Sequence, residues 1–165
     1  MPGGSIMDKS RLLELLESDA RISMSELATM LGASPKEVER TVKELTDKGV
    51  IKGYRTVVDW RKVDGKKATA VIQVKVVPQE KFGFDKVCSE IAKDKRVSDV
   101  FVTSGKYDLM VTLRADGIDE ISEFVTEKLA PMKGVSGTYT HILLKEFKRD
   151  GAVFYEAGKK RLPVS

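Results

Sequence analysis

The sequence predicts an α+β chain in two parts. The first is a three-helix, winged-helix-like helix-turn-helix domain; the second is a ferredoxin-like βαββαβ domain. Three observations carry this. Up to Leu45 the apolar residues recur at helical spacing, punctuated by Gly32 and by Ser34-Pro35. A polar stretch with Gly65 then interrupts the pattern. From Ala68 onward β-branched runs and helical runs follow in the order strand, helix, strand, strand, helix, strand. The boundaries predicted are 7–58 for the first domain, 59–67 for a hinge, 68–148 for the second domain and 149–165 for a tail.

Lys9 to Ser18 reads as the first helix, with Leu12, Leu13, Leu15 and Leu16 inward. Residues 18–21 form the loop. In the second helix Leu27, Ala28 and Leu31 share one side. Gly32 ends it, because glycine enters the left-handed region without a Cβ penalty. Ser34 is an N-cap, Pro35 suits the first helical position, and Glu37 completes a capping box. The third helix then buries Val38, Val42 and Leu45. Lys36, Arg40 and Lys43 have the same i, i+4, i+7 spacing on the opposite side. A basic outer face over an apolar inner one is how a helix is built that enters the major groove. Ser34, Lys36, Glu37, Arg40 and Lys43 are therefore the candidate DNA-facing residues. Any amphipathic hairpin shows the same two faces, and charge does not decide: Asp8 to Val58 holds nine Lys or Arg against nine Asp or Glu. After Gly49 the run Val50–Val58 turns β-like.

In the second domain Ala68–Val77 is a strand stopped by Pro78. Phe84 to Lys93 is a helix with Phe84, Val87, Cys88 and Ile91 inward. Val97–Ser104 and Leu109–Ala115 are strands joined through Gly105-Lys106-Tyr107-Asp108. Ile118 to Leu129 is a helix with Ile118, Ile121, Phe124, Val125 and Leu129 on one face. Val135–Phe147 is a long last strand. Such a sheet has helices on one face only, so the other face asks for a cover, most cheaply a second copy. Trp60, in the hinge, reads as a packing anchor between domains or subunits.

The 165 residues carry a net charge of +4 and 41% hydrophobic residues, enough for packed cores and mildly favourable to nucleic acid. A single cysteine, Cys88, excludes an intramolecular disulfide and points to a reducing, cytoplasmic setting. The longest apolar run is too short and too polar to span a bilayer, and the start, MPGGSIMD, lacks the apolar stretch that a secretory leader is expected to carry. Met1–Ser5 reads as an appended stretch, with Met7 as the natural start.

Phosphate-binding glycine loops and zinc-protease motifs are missing. Cys88 and His141 are the only soft ligands, too few for a structural zinc site. His141 has no neighbouring carboxylate or second histidine in the sequence to make an acid–base pair, so no catalytic residue, metal or cofactor is expected. The segment Ser104-Gly105-Lys106-Tyr107-Asp108 offers backbone N–H groups in a glycine-containing turn and one carboxylate. Thr138 and Thr140, two apart on a strand, share a face. Taken alone, the first is also an ordinary hairpin turn and the second ordinary β-propensity.

Together these parts resemble the Lrp/AsnC, or feast/famine, family of transcriptional regulators. The segments that carry the resemblance are LLELLESDARISMSELATMLGAS, DKGVIKGYRTVVD, TSGKYDLMVTL and GVSGTYTHILLKEFK, spread from about Asp8 to Lys148. The G-x-Y-D turn, Gly105, Tyr107 and Asp108, with the downstream Thr-x-Thr is the specific part. The resemblance implies double-stranded DNA as a partner and an amino acid as effector. It also implies a dimer formed through the sheets that assembles to tetramers or octamers, with the amino acid bound between dimers beside this turn. Ser104, Gly105, Lys106, Tyr107, Asp108, Thr138 and Thr140 are the effector-site candidates it marks. One place departs: in the family pattern V-x-x-R-V the arginine falls at Thr41, whereas here it is Arg40. Relatives that act as sirohaem decarboxylases give a second reading, with His141 as the single histidine available. A third is an effector-binding assembly without DNA binding, which the basic third-helix face argues against.

Overall fold

The computed structural model describes residues 7–63, 67–77 and 83–155. The chain divides into two compact units, Met1–Thr56 and Val57–Ser165.

The first unit consists of α1 (Lys9–Ser18), α2 (Met24–Leu31) and α3 (Pro35–Asp47). A side chain opens each helix. Asp8 accepts from the Ser10 and Arg11 N–H groups, Ser23 from Glu26 and Ser34 from Glu37. The reciprocal capping box is at α2, where Ser23 N–H donates back to Glu26 Oε2 at 3.0 Å. At α3, where the sequence predicts one, only the Ser34 half is made, with Glu37 N–H 3.3 Å from Oγ. Gly32 ends α2 at φ 63, as the sequence predicts. Leu12, Leu16, Leu27, Ala28, Val38 and Leu45 form the core, and Leu13, Leu15, Leu31 and Val42 pack half-buried around it. Thr41 is 5% exposed and shares this inner side. The expected strand at Val50–Val58 does not form. A strand exists only where a neighbour takes its N–H and C=O groups, and among the described residues nothing pairs with this run.

The second unit runs β1 (Ala68–Val76), α4 (Asp85–Ile91), β2 (Val97–Val102), β3 (Leu109–Ala115), α5 (Ile118–Glu123, continued by a π-helical turn Phe124–Leu129) and β4 (Val135–Ile142). The sheet order is β2-β3-β1-β4 with antiparallel pairs, the ferredoxin-like arrangement. Ala70, Ile72, Val74 and Val76 alternate into one face and meet Val87, Ile91, Ile121, Phe124 and Leu129 of the helices. The opposite face carries Gln73, Met110, Phe101 and Tyr139, and among the described residues of this unit the helices α4 and α5 pack on the other side.

Three expectations are corrected here. The last strand stops at Ile142 rather than Phe147: it outruns β1, its partner, after Leu143 N–H bonds to the Thr69 carbonyl at 2.9 Å. Leu144 is then 94% exposed. The second strand stops at Val102, and Ile118, the first residue of α5, lies exposed instead of facing the core. The tail turns at Asp150-Gly151 into a short hairpin, β5 (Lys148–Arg149) with β6 (Ala152–Val153). Gly65 of the hinge and Pro78 after the first strand lie outside the described residues. Among the described residues no helix is long and apolar enough to cross a membrane.

Candidate functional site

The first candidate surface is the outer side of α3. Lys36, Arg40 and Lys43 are all exposed on it. Lys43 is engaged by Asp47 one turn on, at 2.7 Å. No ion pair involves Lys36 or Arg40 among the described residues. Glu44 does not oppose them freely: its carboxylate is shared by Lys48 at 2.6 Å and Lys9 at 3.3 Å. Hydrogen bonds from Lys48 and then Lys9 hold its pKa below the ordinary glutamate value. Ser34 caps the helix, so its hydroxyl and Glu37 sit at the positive end of the helix dipole. Glu37 is half-buried, whereas the cations are exposed. Thr41, at the place of the family arginine, faces the core, and its neighbour Arg40 faces out.

The second candidate is the turn between β2 and β3. Gly105 has φ 129, and a Cβ at that position would meet nothing within 4 Å, so the constraint there is backbone conformation rather than space. Asp108 already has two partners within the chain. Its Oδ2 accepts from Val76 N–H at 2.9 Å, and Lys75 Nζ lies 3.2 Å from Oδ1. The bond from the Val76 amide, with Lys75 adding to it, lowers the pKa of the carboxyl. Asp108 thus stitches the turn to the irregular step between Lys75 and Val76 of β1. Thr103 completes the closure: its N–H donates to the Asp108 carbonyl at 2.8 Å and its hydroxyl to the Tyr107 carbonyl at 3.2 Å.

Beside this turn, on the sheet face without helices, is a groove of about 310 Å³. Gln73, Thr103, Ser104, Lys106, Tyr107 and Met110 line it. The Lys106 ammonium lies 5.8 Å from the Tyr107 ring centre, and the Tyr139 ring 6.4 Å from it. Within one chain the two threonines are not brought to this groove. Thr138 pairs with Val74 and Thr140 with Ile72, both core-facing, whereas Tyr139 pairs with Gln73 on the groove side. Thr103, Gln73 and Met110 in the lining, and Tyr139 beside it, are residues that sequence reasoning missed. For those on strands the signal is strand parity, readable only once the register is known.

The other chemically capable residues are not part of the groove lining. His141 is exposed and meets Tyr139 edge-on at 4.7 Å. Cys88 is half-buried on α4, and burial pushes its thiol pKa up. Among the described residues no three His, Cys, Asp or Glu side chains gather as a metal site would require.

Comparison with known proteins matches both parts of the chain. Residues 9–52 match the family model described as winged helix-turn-helix DNA-binding, and residues 69–153 the model described as Lrp/AsnC ligand binding domain. An uncharacterized HTH-type transcriptional regulator of Bacillus subtilis, YugG, is 39% identical over 160 residues, 95% of this chain and 96% of the relative. Among solved structures, MtbAldR superposes with a TM-score of 0.73 at 26% identity, covering 87% of this chain and 97% of the other. The transcriptional regulator NMB0573 of Neisseria meningitidis, solved as a complex with L-Met, gives 0.68 at 23% identity, with 87% and 93% covered. The chain is a DNA-binding transcriptional regulator of the Lrp/AsnC family.

Proposed function

We propose that this regulator works as a homodimer on two-fold symmetric DNA and that an amino acid in the groove beside Tyr107 alters its assembly. The single observation that carries the effector reading is the groove itself, placed against a glycine-containing turn on the face that lacks a helical cover. An amino acid brings an ammonium and a carboxylate, and burying either unpaired costs several kcal/mol. Turn N–H groups and Lys106 suit the carboxylate, and main-chain carbonyls of the turn suit the ammonium. Asp108, held by Val76 and Lys75, shapes the turn. The L-Met in the Neisseria relative supports the ligand class without naming the ligand here.

The exposed Phe101 and Tyr139 on the same face support a second copy as its cover. Larger rings, tetramers or octamers, follow from the family resemblance. A ligand at such a contact shifts assembly by no more than its differential affinity for the two states. Ser34, Lys36, Glu37, Arg40 and Lys43 meet the DNA, with Arg40 at a base edge and the lysines at phosphates.

The test is a thermal-shift screen of the amino acids, then calorimetry on wild type and Tyr107→Ala. One amino acid is expected to bind, and Tyr107→Ala to weaken it about tenfold, a change of about 1.4 kcal/mol. A screen in which none binds overturns the effector reading, and light scattering that shows a monomer overturns the dimer. We read the chain as cytoplasmic and without catalytic activity; a visible absorption band on adding sirohaem would speak for the decarboxylase alternative.

A further inference from the structure

The carboxyl-terminal hairpin closes on the first residues of the second unit. Arg149 on β5 donates from Nη1 to both oxygens of Glu146 at 2.6 Å and from Nη2 to the Val58 carbonyl at 2.9 Å. Arg61 crosses in the opposite direction. Its Nη2 donates to the Phe154 carbonyl at 2.5 Å, and Asp59 grips the same guanidinium through two bonds of 2.8 Å. Segments more than ninety residues apart are thus tied by a reciprocal pair of arginine-to-carbonyl bonds. Charge-assisted forks of this kind fix direction as well as distance.

Phe154 lies inside this clasp. It is 8% exposed yet belongs to neither apolar core. The Arg149 guanidinium carbon is 4.6 Å from its ring centre and that of Arg61 5.9 Å, both within cation–π range. The side chains around it in sequence, Val153 and Tyr155, are exposed, as are Val57 and Trp60 on the strap it holds. The sheet and its helices complete their own core without the hairpin. The segment held, Val58–Arg61, begins two residues after Thr56, where the first unit ends.

We propose that Arg149 and Phe154 are positioning residues for DNA binding: the clasp fixes where the chain leaves the second unit. In a dimer this sets how the two recognition helices are tethered. A tether that matches the span of two sites multiplies affinity for the pair and leaves the affinity for a single site alone. The inference rests on the two-fold reading given above.

The test uses full-length protein, a duplex from upstream of its own gene, the same duplex cut to one half-site, and a version with about 5 base pairs, half a helical turn, inserted between half-sites. Wild type is expected to prefer the uninterrupted pair about tenfold or more over either altered duplex. Arg149→Ala and Phe154→Leu are expected to bind the single half-site like wild type, to lose about tenfold on the pair, and to tolerate the insertion better. Phe154→Leu keeps an apolar side chain in place, so it reports on the clasp even if Arg149→Ala folds poorly. Tryptic cleavage after Arg61 and Lys62 gives a readout independent of DNA, expected to run about tenfold faster in both variants because local opening becomes easier. If wild type does not favour two half-sites over one, the two-fold reading falls and the positioning role with it. If wild type does favour them but both variants keep its spacing preference, or are cut at its rate, only the clasp is overturned.

Discussion

The α3 surface and the β2–β3 turn place their charged groups by different means. On α3, helical pitch alone puts Lys36, Arg40 and Lys43 in line, and the longest reach between them is seven residues. At the turn, Asp108 is set by a bond to Val76, thirty-two residues earlier in the chain, and Tyr139 arrives from β4. A face made by pitch can lose one side chain while its backbone stays put. A groove made by strand register shares its groups with the sheet, so a change there acts on the fold before it acts on a ligand.

That contrast can be broken in four ways. The largest effect belongs to the seat of α3. Leu27 is fully buried beneath it, and Leu27→Ala is expected to cost about 2–5 kcal/mol, the usual range for such a cavity. Hydrogen exchange should show the loss confined to α1–α3, with the β1 and β3 amides still protected; a loss spread through both units would deny that they are separate.

Arg40→Ala comes next. Its side chain is exposed, so the melting temperature should move little while operator affinity falls by about 1–3 kcal/mol in a titration by fluorescence anisotropy. An equal drop in stability would show that the outer face is not independent of its backbone.

Asp108→Ala should behave the other way and lower the melting temperature through the orphaned Val76 N–H. The folded-state pKa of this carboxyl lies below its unfolded value of about 3.9, so its contribution is present above that pH and is lost as pH falls through the folded value. The gap between wild type and variant should therefore close in acid, as melts between about pH 7 and pH 2 would show. Lost effector binding with an unchanged melting temperature would instead make Asp108 a ligand group.

The smallest effect is expected at Thr140. It is exposed and off the groove, so Thr140→Val should shift stability by no more than about 0.5 kcal/mol and leave effector binding alone in calorimetry.

The same contrast explains what is legible in the sequence. Helix positions are legible because each cue is local: Gly32 for a positive φ, Ser34-Pro35 for a start, Leu12 and Leu16 for an inner stripe. The order of strands and helices is legible too, because β-branched runs such as Ala68–Val76 are themselves local. Register is not. Thr138 and Thr140 do share a face, but which face depends on Val74 and Ile72 across the ladder. The fate of Asp108 depends on an irregular step in β1 that no local pattern announces. Val50–Val58 has strand composition, and among the described residues no strand pairs with it. Local spacing points to a capping box at Ser34 and Glu37, although Ser23 and Glu26 have the same spacing and close both bonds.

The π-helical turn in α5 has a consequence of its own. Phe124 and Leu129 stand five residues apart, which on a regular α-helix would rotate them about 140° from each other. The widened turn lets both lie buried on one side, at 2% and 0% exposure. It therefore behaves as one residue of slack in the helix. Deleting exposed Thr126 would bring the flanking pair to regular i, i+4 spacing and keep both in the core. A variant without Thr126 is therefore expected to keep the helix and the sheet register, which amide exchange of the β1 and β3 strands would show.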